Sequence, residues 1–178
     1  RIVVTDDQGR YVLPDLPKAS YQVFVRGYGL VDSARVSAKP GDHLDLKAVV
    51  APDGRAAAQV YPANYWYGML EFPKGAISDR EATVESRACF SCHQVGDIAT
   101  REVPKSLGTF GSTLEAWDHR TAMGPNGAQM SVAFQKFGPQ RKAYADWTDR
   151  IAKGEFPKQP PRPSGVERNL VITEWDWA

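Results

Sequence analysis

The stretch Cys89-Phe90-Ser91-Cys92-His93 decides how the second half of this chain is read. Two thiols three positions apart, with an imidazole directly after the second, is the C-x-x-C-H spacing that attaches a c-type haem. On a forming helix each thiol can add to a vinyl group of the porphyrin, and His93 is then held beneath the iron as its proximal ligand. The same residues admit other readings: a thioredoxin-like redox dithiol, a pair of zinc ligands, or a disulfide. A redox dithiol belongs between a strand and a helix, whereas the segment before Cys89 has helical period. Zinc needs further ligands, and the remaining histidines are His43 and His119.

Cys89 and Cys92 are the two cysteines of the chain, so haem attachment leaves neither a free thiol nor a disulfide framework. Bacteria attach haem covalently outside the cytoplasm, which sets the expected location as periplasm or extracellular space. The chain opens with Arg1-Ile2-Val3-Val4 rather than a basic start and an apolar run, and is read as a mature or truncated product. No apolar run is long enough to span a bilayer.

A length of 178 residues allows one large or two small domains, and the patterning favours two. With 22 Lys and Arg against 21 Asp and Glu, intermixed along the chain, nothing points to nucleic acid or to a polybasic membrane patch. Five Trp is a high count, and four of them follow the haem motif, where flat rings pack well in a core or against a porphyrin.

The first fifty residues have strand period. Ile2-Val3-Val4-Thr5 runs into the turn signal Asp6-Asp7-Gln8-Gly9, and Arg10-Tyr11-Val12-Leu13 resumes the alternation, which predicts a hairpin. Pro14-Asp15-Leu16-Pro17 is a turn-rich loop, Tyr21, Val23 and Val25 alternate with polar or outward residues up to Gly27, and Leu44, Leu46, Ala48 and Val50 form a fourth alternation after Lys39-Pro40-Gly41-Asp42. Four short strands at this spacing predict an antiparallel sandwich. Residues 5–17, followed by Tyr21-Gln22-Val23 and the pair Gly27-Tyr28, resemble the carboxypeptidase regulatory-like domain, a transthyretin-like or immunoglobulin-like fold. The resemblance implies a contact-making module with no catalytic residues. It also implies two further strands before residue 1, so the sheet is expected to have an unpaired edge that is met by another chain or by a missing flanking domain.

Residues 53–76 are expected to be an aromatic connector, because Tyr61-Pro62-Ala63-Asn64-Tyr65-Trp66-Tyr67 is too apolar for a solvated linker. The helical half begins at Ser78, placed three before Glu81 as in a capping box, and the helix runs through Ala82, Val84, Arg87 and Ala88 into the haem motif. A loop from Gly96 to Thr109 follows, in which the Pro104 carbonyl is a candidate acceptor for the free ring N–H of His93. Ser112 and Glu115 form a second capping signature for a helix ending at Gly124; Met130, Phe134 and Phe137 stripe a third; Pro139 opens a fourth with Tyr144, Trp147 and Ile151 on one face.

The haem motif and this helical order, over residues 77–156, resemble a class I c-type cytochrome. The expected fold class is thus multidomain: an apparently truncated all-β sandwich over 1–52, then an all-α cytochrome c-like domain over 77–156. The resemblance implies a methionine as sixth iron ligand in a loop ahead of the last helix, which fits Met130 best and Met123 next, with His119 or an open position as alternatives. His43 is expected on the surface of the sandwich. Residues 157–178 are expected to be a Pro-rich extended tail and a strand, Leu170 to Trp177, that ends on Trp175-Asp176-Trp177. Apolar bulk at that end, like the open sheet edge at the other, calls for protein beyond these residues. The combination resembles a group of bacterial secreted proteins in which a β-propeller follows.

Two functions from different classes are expected. One is electron transfer with a redox protein partner through a single haem c; the alternative is the haem-bearing part of a larger periplasmic oxidoreductase or lyase whose catalytic domain lies elsewhere. The chain shows no flavin or quinone fingerprint and no nucleophile with its base. Haem-based sensing or peroxidase chemistry would need an open distal position.

Overall fold

A computed structural model describes residues 1–14, 16–75, 78–162 and 164–169, so the strand expected over 170–177 lies outside the described residues. The chain divides into two units: Arg1–Val60 together with the segment from Gln159, and Tyr61–Lys158. The expected connector does not stand apart from them. Its first residues belong to the first unit and the aromatic run from Tyr61 belongs to the second, because Tyr61, Ala63 and Trp66 are core side chains rather than linker surface.

Among the described residues of the first unit, β structure is confined to two antiparallel ribbons. Strand β1 (Tyr21–Val23) pairs with β3 (Val36–Ala38), Tyr21 opposite Ala38, and β2 (Leu30–Val31) pairs with β4 (Val49–Val50), Leu30 opposite Val50. The ribbons extend slightly beyond these limits: buried Ser33 accepts from the Val25 N–H with its hydroxyl at 2.9 Å and donates its own N–H to the Val25 carbonyl at 3.0 Å. The turn at Asp6–Arg10 forms as its sequence predicts. The Asp6 carboxylate accepts from the Gln8 and Arg10 amides at 2.9 and 2.8 Å, and Gly9 supplies the positive φ of 76°. Those bonds to Arg10 and Gln8 hold the Asp6 carboxyl below its ordinary range. Residues 2–5 and 10–13 nevertheless leave the turn without becoming strands. Their alternation is partly expressed, with Val3, Tyr11 and Leu13 half-buried and Ile2, Val4 and Val12 exposed, but no side chain of either run is fully buried, so the apolar face that would hold a strand register is weak. Helix α1 (Gly54–Ala58) was not anticipated; Asp53 caps it by accepting the Ala56 N–H at 2.8 Å, and it packs against β2.

The second unit is all helical among its described residues. Its elements are α2 (Ala63–Tyr67), α3 (Asp79–Phe90), α4 (Ile98–Arg101), α5 (Thr113–Thr121), α6 (Gly127–Gln135) and α7 (Lys142–Ala152), with short 3-10 turns at Lys105–Leu107 and Gly138–Arg141. Both bonds of the Ser78/Glu81 capping box are present. At α5 the box is half formed: Ser112 accepts the Glu115 N–H, but the Glu115 carboxylate accepts the Gly111 N–H at 2.9 Å.

The core lies between α5, α6 and α7. Trp117, Phe134, Phe137, Tyr144, Trp147 and Ile151 are buried there, with Tyr144 in ring contact with Trp117, Phe134 and Phe137 at centroid distances of 5.3 to 5.5 Å. Indole N–H groups are satisfied inside it: Trp117 donates to the Thr148 hydroxyl at 3.0 Å and Trp147 to the Trp66 carbonyl at 2.9 Å. The second of these bonds ties α2 to α7, and α4 also packs on α7.

Candidate functional site

The helix α3 delivers the cysteine motif at its C-terminal end. Phe90 is the last helical residue, but the winding continues: Ser91 donates its N–H to the Arg87 carbonyl at 3.0 Å, and the Cys89 carbonyl accepts from both Cys92 and His93, at 3.2 and 3.0 Å. Cys89, Cys92 and His93 are therefore spaced i, i+3 and i+4 on one extra turn, which puts their side chains on one side of it. Both cysteines are free thiols, Cys89 half-buried and Cys92 exposed.

His93 is half-buried. Nδ1 is fully enclosed, and it has no hydrogen-bond partner among the described residues. The Pro104 carbonyl does not meet Nδ1. It is taken up in starting the 3-10 turn, where it accepts the Leu107 N–H at 3.0 Å. These residues fit a haem: two uncommitted thiols beside an imidazole whose enclosed Nδ1 leaves Nε2 as the atom for iron.

The thiol chemistry separates the other readings of the motif. Burial pushes the Cys89 thiol above its ordinary pKa, and no cation beside it opposes that shift. A redox dithiol needs the reverse, a thiolate stabilised near neutral pH. For a closed zinc site, no group of three or more candidate ligands converges among the described residues.

The inner face of α3 is narrow and aromatic. Ser86, 1% exposed, has its Oγ 3.1 Å from the Tyr67 hydroxyl, and the Tyr67 ring meets Phe90 edge-on at 4.8 Å. The Tyr144 hydroxyl is enclosed on the same side. Burial chiefly, with Cys89 and Tyr67 nearby, raises its pKa and keeps the phenol protonated.

Of the three candidates for a sixth ligand, Met130 lies on α6, the helix that packs against α3. It is half-buried, on the stripe that includes buried Gly127 and Phe134. Met123 follows α5 and is exposed. His119 is an exposed residue of α5 with its ring 5.2 Å from that of Phe110. His43 is on the surface of the first unit, 3.7 Å from Asp45.

After the motif the chain is pinned by features the sequence did not announce. Gly96, at φ 111°, is wedged against α2; its N–H donates to the Thr100 hydroxyl at 2.8 Å and its carbonyl accepts from Arg101 Nη1 at 2.9 Å. Arg101 is buried, with its guanidinium 3.9 Å from the centre of the Trp66 ring. Arg120 reaches back from α5 to the Thr100 carbonyl at 2.8 Å and to that of Glu102. Nothing in Ala99-Thr100-Arg101-Glu102 distinguishes a buried arginine from a solvated one, so Arg101 was not legible in advance.

Comparison of the chain with protein-family models, with curated proteins and with solved structures returns no match.

Proposed function

We propose that this chain carries one covalent haem c on Cys89 and Cys92, with His93 as the proximal iron ligand, and that it passes single electrons to or from a redox protein partner in the periplasm or outside the cell. The observation that supports this most directly is the turn closed on the Cys89 carbonyl, which presents both thiols and the His93 ring together at the end of α3. A haem bound there supplies a one-electron couple whose potential follows its axial ligands and surroundings. The protein's part is to hold His93 by its enclosed Nδ1 edge, to back the thiols with the Ser86, Tyr67 and Tyr144 face, and to keep that face dry. A place as the haem-bearing part of a larger oxidoreductase or lyase shares all of this chemistry and adds a catalytic domain.

The test is attachment. Protein produced with a haem-maturation system is expected to keep its colour through acid–acetone extraction, with one haem per chain by mass. Haem that passes into the solvent overturns the proposal.

We further propose Met130 as the sixth ligand, because α6 carries it against the helix that bears the motif. Met130→Ala is then expected to lose the thioether charge-transfer band at the red edge of the visible spectrum and to lower the reduction potential, since a thioether ligand raises it. An unchanged spectrum moves the assignment to Met123 or His119.

A further inference from the structure

Arg101 is 3% exposed, and of its donors only Nη1 has an acceptor, the Gly96 carbonyl. Nε and Nη2 are both enclosed and unpartnered. These two N–H groups lie on the same edge of the guanidinium and point in parallel, the fork that receives a carboxylate through two bonds at once. A buried guanidinium whose fork has no acceptor is costly, and the Trp66 ring beneath its face supplies none for that edge. The carboxylate next along the chain does not fill it either: Glu102 Oε1 is 3.8 Å from Nε, beyond hydrogen-bond length, and its side chain is half exposed. Burial pulls the Arg101 pKa down, with Glu102 and Asp97 partly opposing that shift. The group stays charged throughout, as arginine does in proteins.

Its position narrows the occupant. The guanidinium is tied to the carbonyl of Gly96, three residues after His93, a separation that spans at most about 10 Å. An enclosed fork so close to the iron ligand is suited to a carboxylate that is built in with the fold rather than one that diffuses in. We propose that the Nε and Nη2 edge of Arg101 binds a propionate of the haem held on Cys89 and Cys92. This rests on the haem reading above. Arg120 has no such role, because its Nη1 and Nη2 already donate to the carbonyls of Thr100 and Glu102.

The experiment uses the haem-loaded full chain with carbon-13 in the propionate carboxyls. Arg101→Lys keeps the charge and removes the fork; one carboxyl resonance is expected to shift while the other holds, and in Arg120→Lys both are expected to hold. Arg101→Gln also removes the charge, and should disfavour the reduced haem by about tenfold, which is 59 mV for one electron. Should Arg101→Gln fail to fold, the Arg101→Lys spectrum decides alone. Two unmoved carboxyl resonances in Arg101→Lys overturn the assignment and leave the haem reading standing, whereas a chain that takes up no covalent haem overturns both.

Discussion

Gly96→Ala is expected to remove most of the stability of the helical unit, far beyond the effect of an ordinary surface glycine. A Cβ at this position would lie 2.0 Å from the Ala63 carbonyl oxygen, 2.9 Å from its carbon and 2.8 Å from the Tyr67 nitrogen. All three obstacles are backbone of α2, so no side chain can swing aside, and the helix itself would have to move. The residue also sits at φ 111°, where an L side chain is strained whatever the space. Strain of about 1–3 kcal/mol and overpacking of about 1–3 kcal/mol both act against the fold, for a total of about 2–6 kcal/mol. Thermal unfolding followed by circular dichroism should show a midpoint lowered by about 10 °C or more. A midpoint within 2 °C or so of the parent would mean that α2 does not sit where it is described.

Trp147→Ala should have the next largest effect, about 3–5 kcal/mol, because the indole is fully buried at 0% exposure and touches Trp117 within the core of α5, α6 and α7. Trp147→Phe separates the two parts of that loss. It keeps an aromatic ring in the cavity but takes away the donor to the Trp66 carbonyl, which should cost about 1–3 kcal/mol. Urea midpoints at constant m-value would report both numbers. Equal stability of the phenylalanine variant and the parent would show that the bond joining α2 to α7 contributes nothing.

The helical half was largely legible because its signals are local and redundant. The Ser78/Glu81 box fixes the start of α3, and the Tyr144, Trp147, Ile151 stripe together with Gly154 fixes α7. The β half was less so. The Asp6–Gly9 turn could be read from side-chain chemistry, but whether the runs beside it become strands depends on a partner face, which no local pattern reports. The short helices α1 and α2 escaped notice for a different reason. At five residues each they are too brief to show a period, and Trp66 and Asp53 declare their roles only through contacts made elsewhere in their units. At the site, the reactive residues stand in consecutive sequence and were named at once, whereas Arg101, Gly96 and the Tyr144 hydroxyl act through distant neighbours. The expected bond from His93 to Pro104 does not form; the proline carbonyl accepts the Leu107 N–H of its own turn, a local geometry the sequence did not specify.

The helix α3 has one further consequence. Among its described side chains only Ser86 is fully buried; Val84 is exposed, and Phe90 stays partly open to solvent even where it meets Tyr67. Little of its own packing resists peeling, so it belongs to the parts of a protein that open before the rest, whereas α5, α6 and α7 share the deep core. On the proposed haem reading, an enzyme that attaches the group to Cys89 and Cys92 would need to lift one helix rather than dismantle the molecule. A rigid, apolar group fastened to that helix under the same proposal would add packing against the remaining core and make the segment harder to lift. On the haem reading, maturation thus acts as a ratchet: it enters through the loosest element and locks it behind.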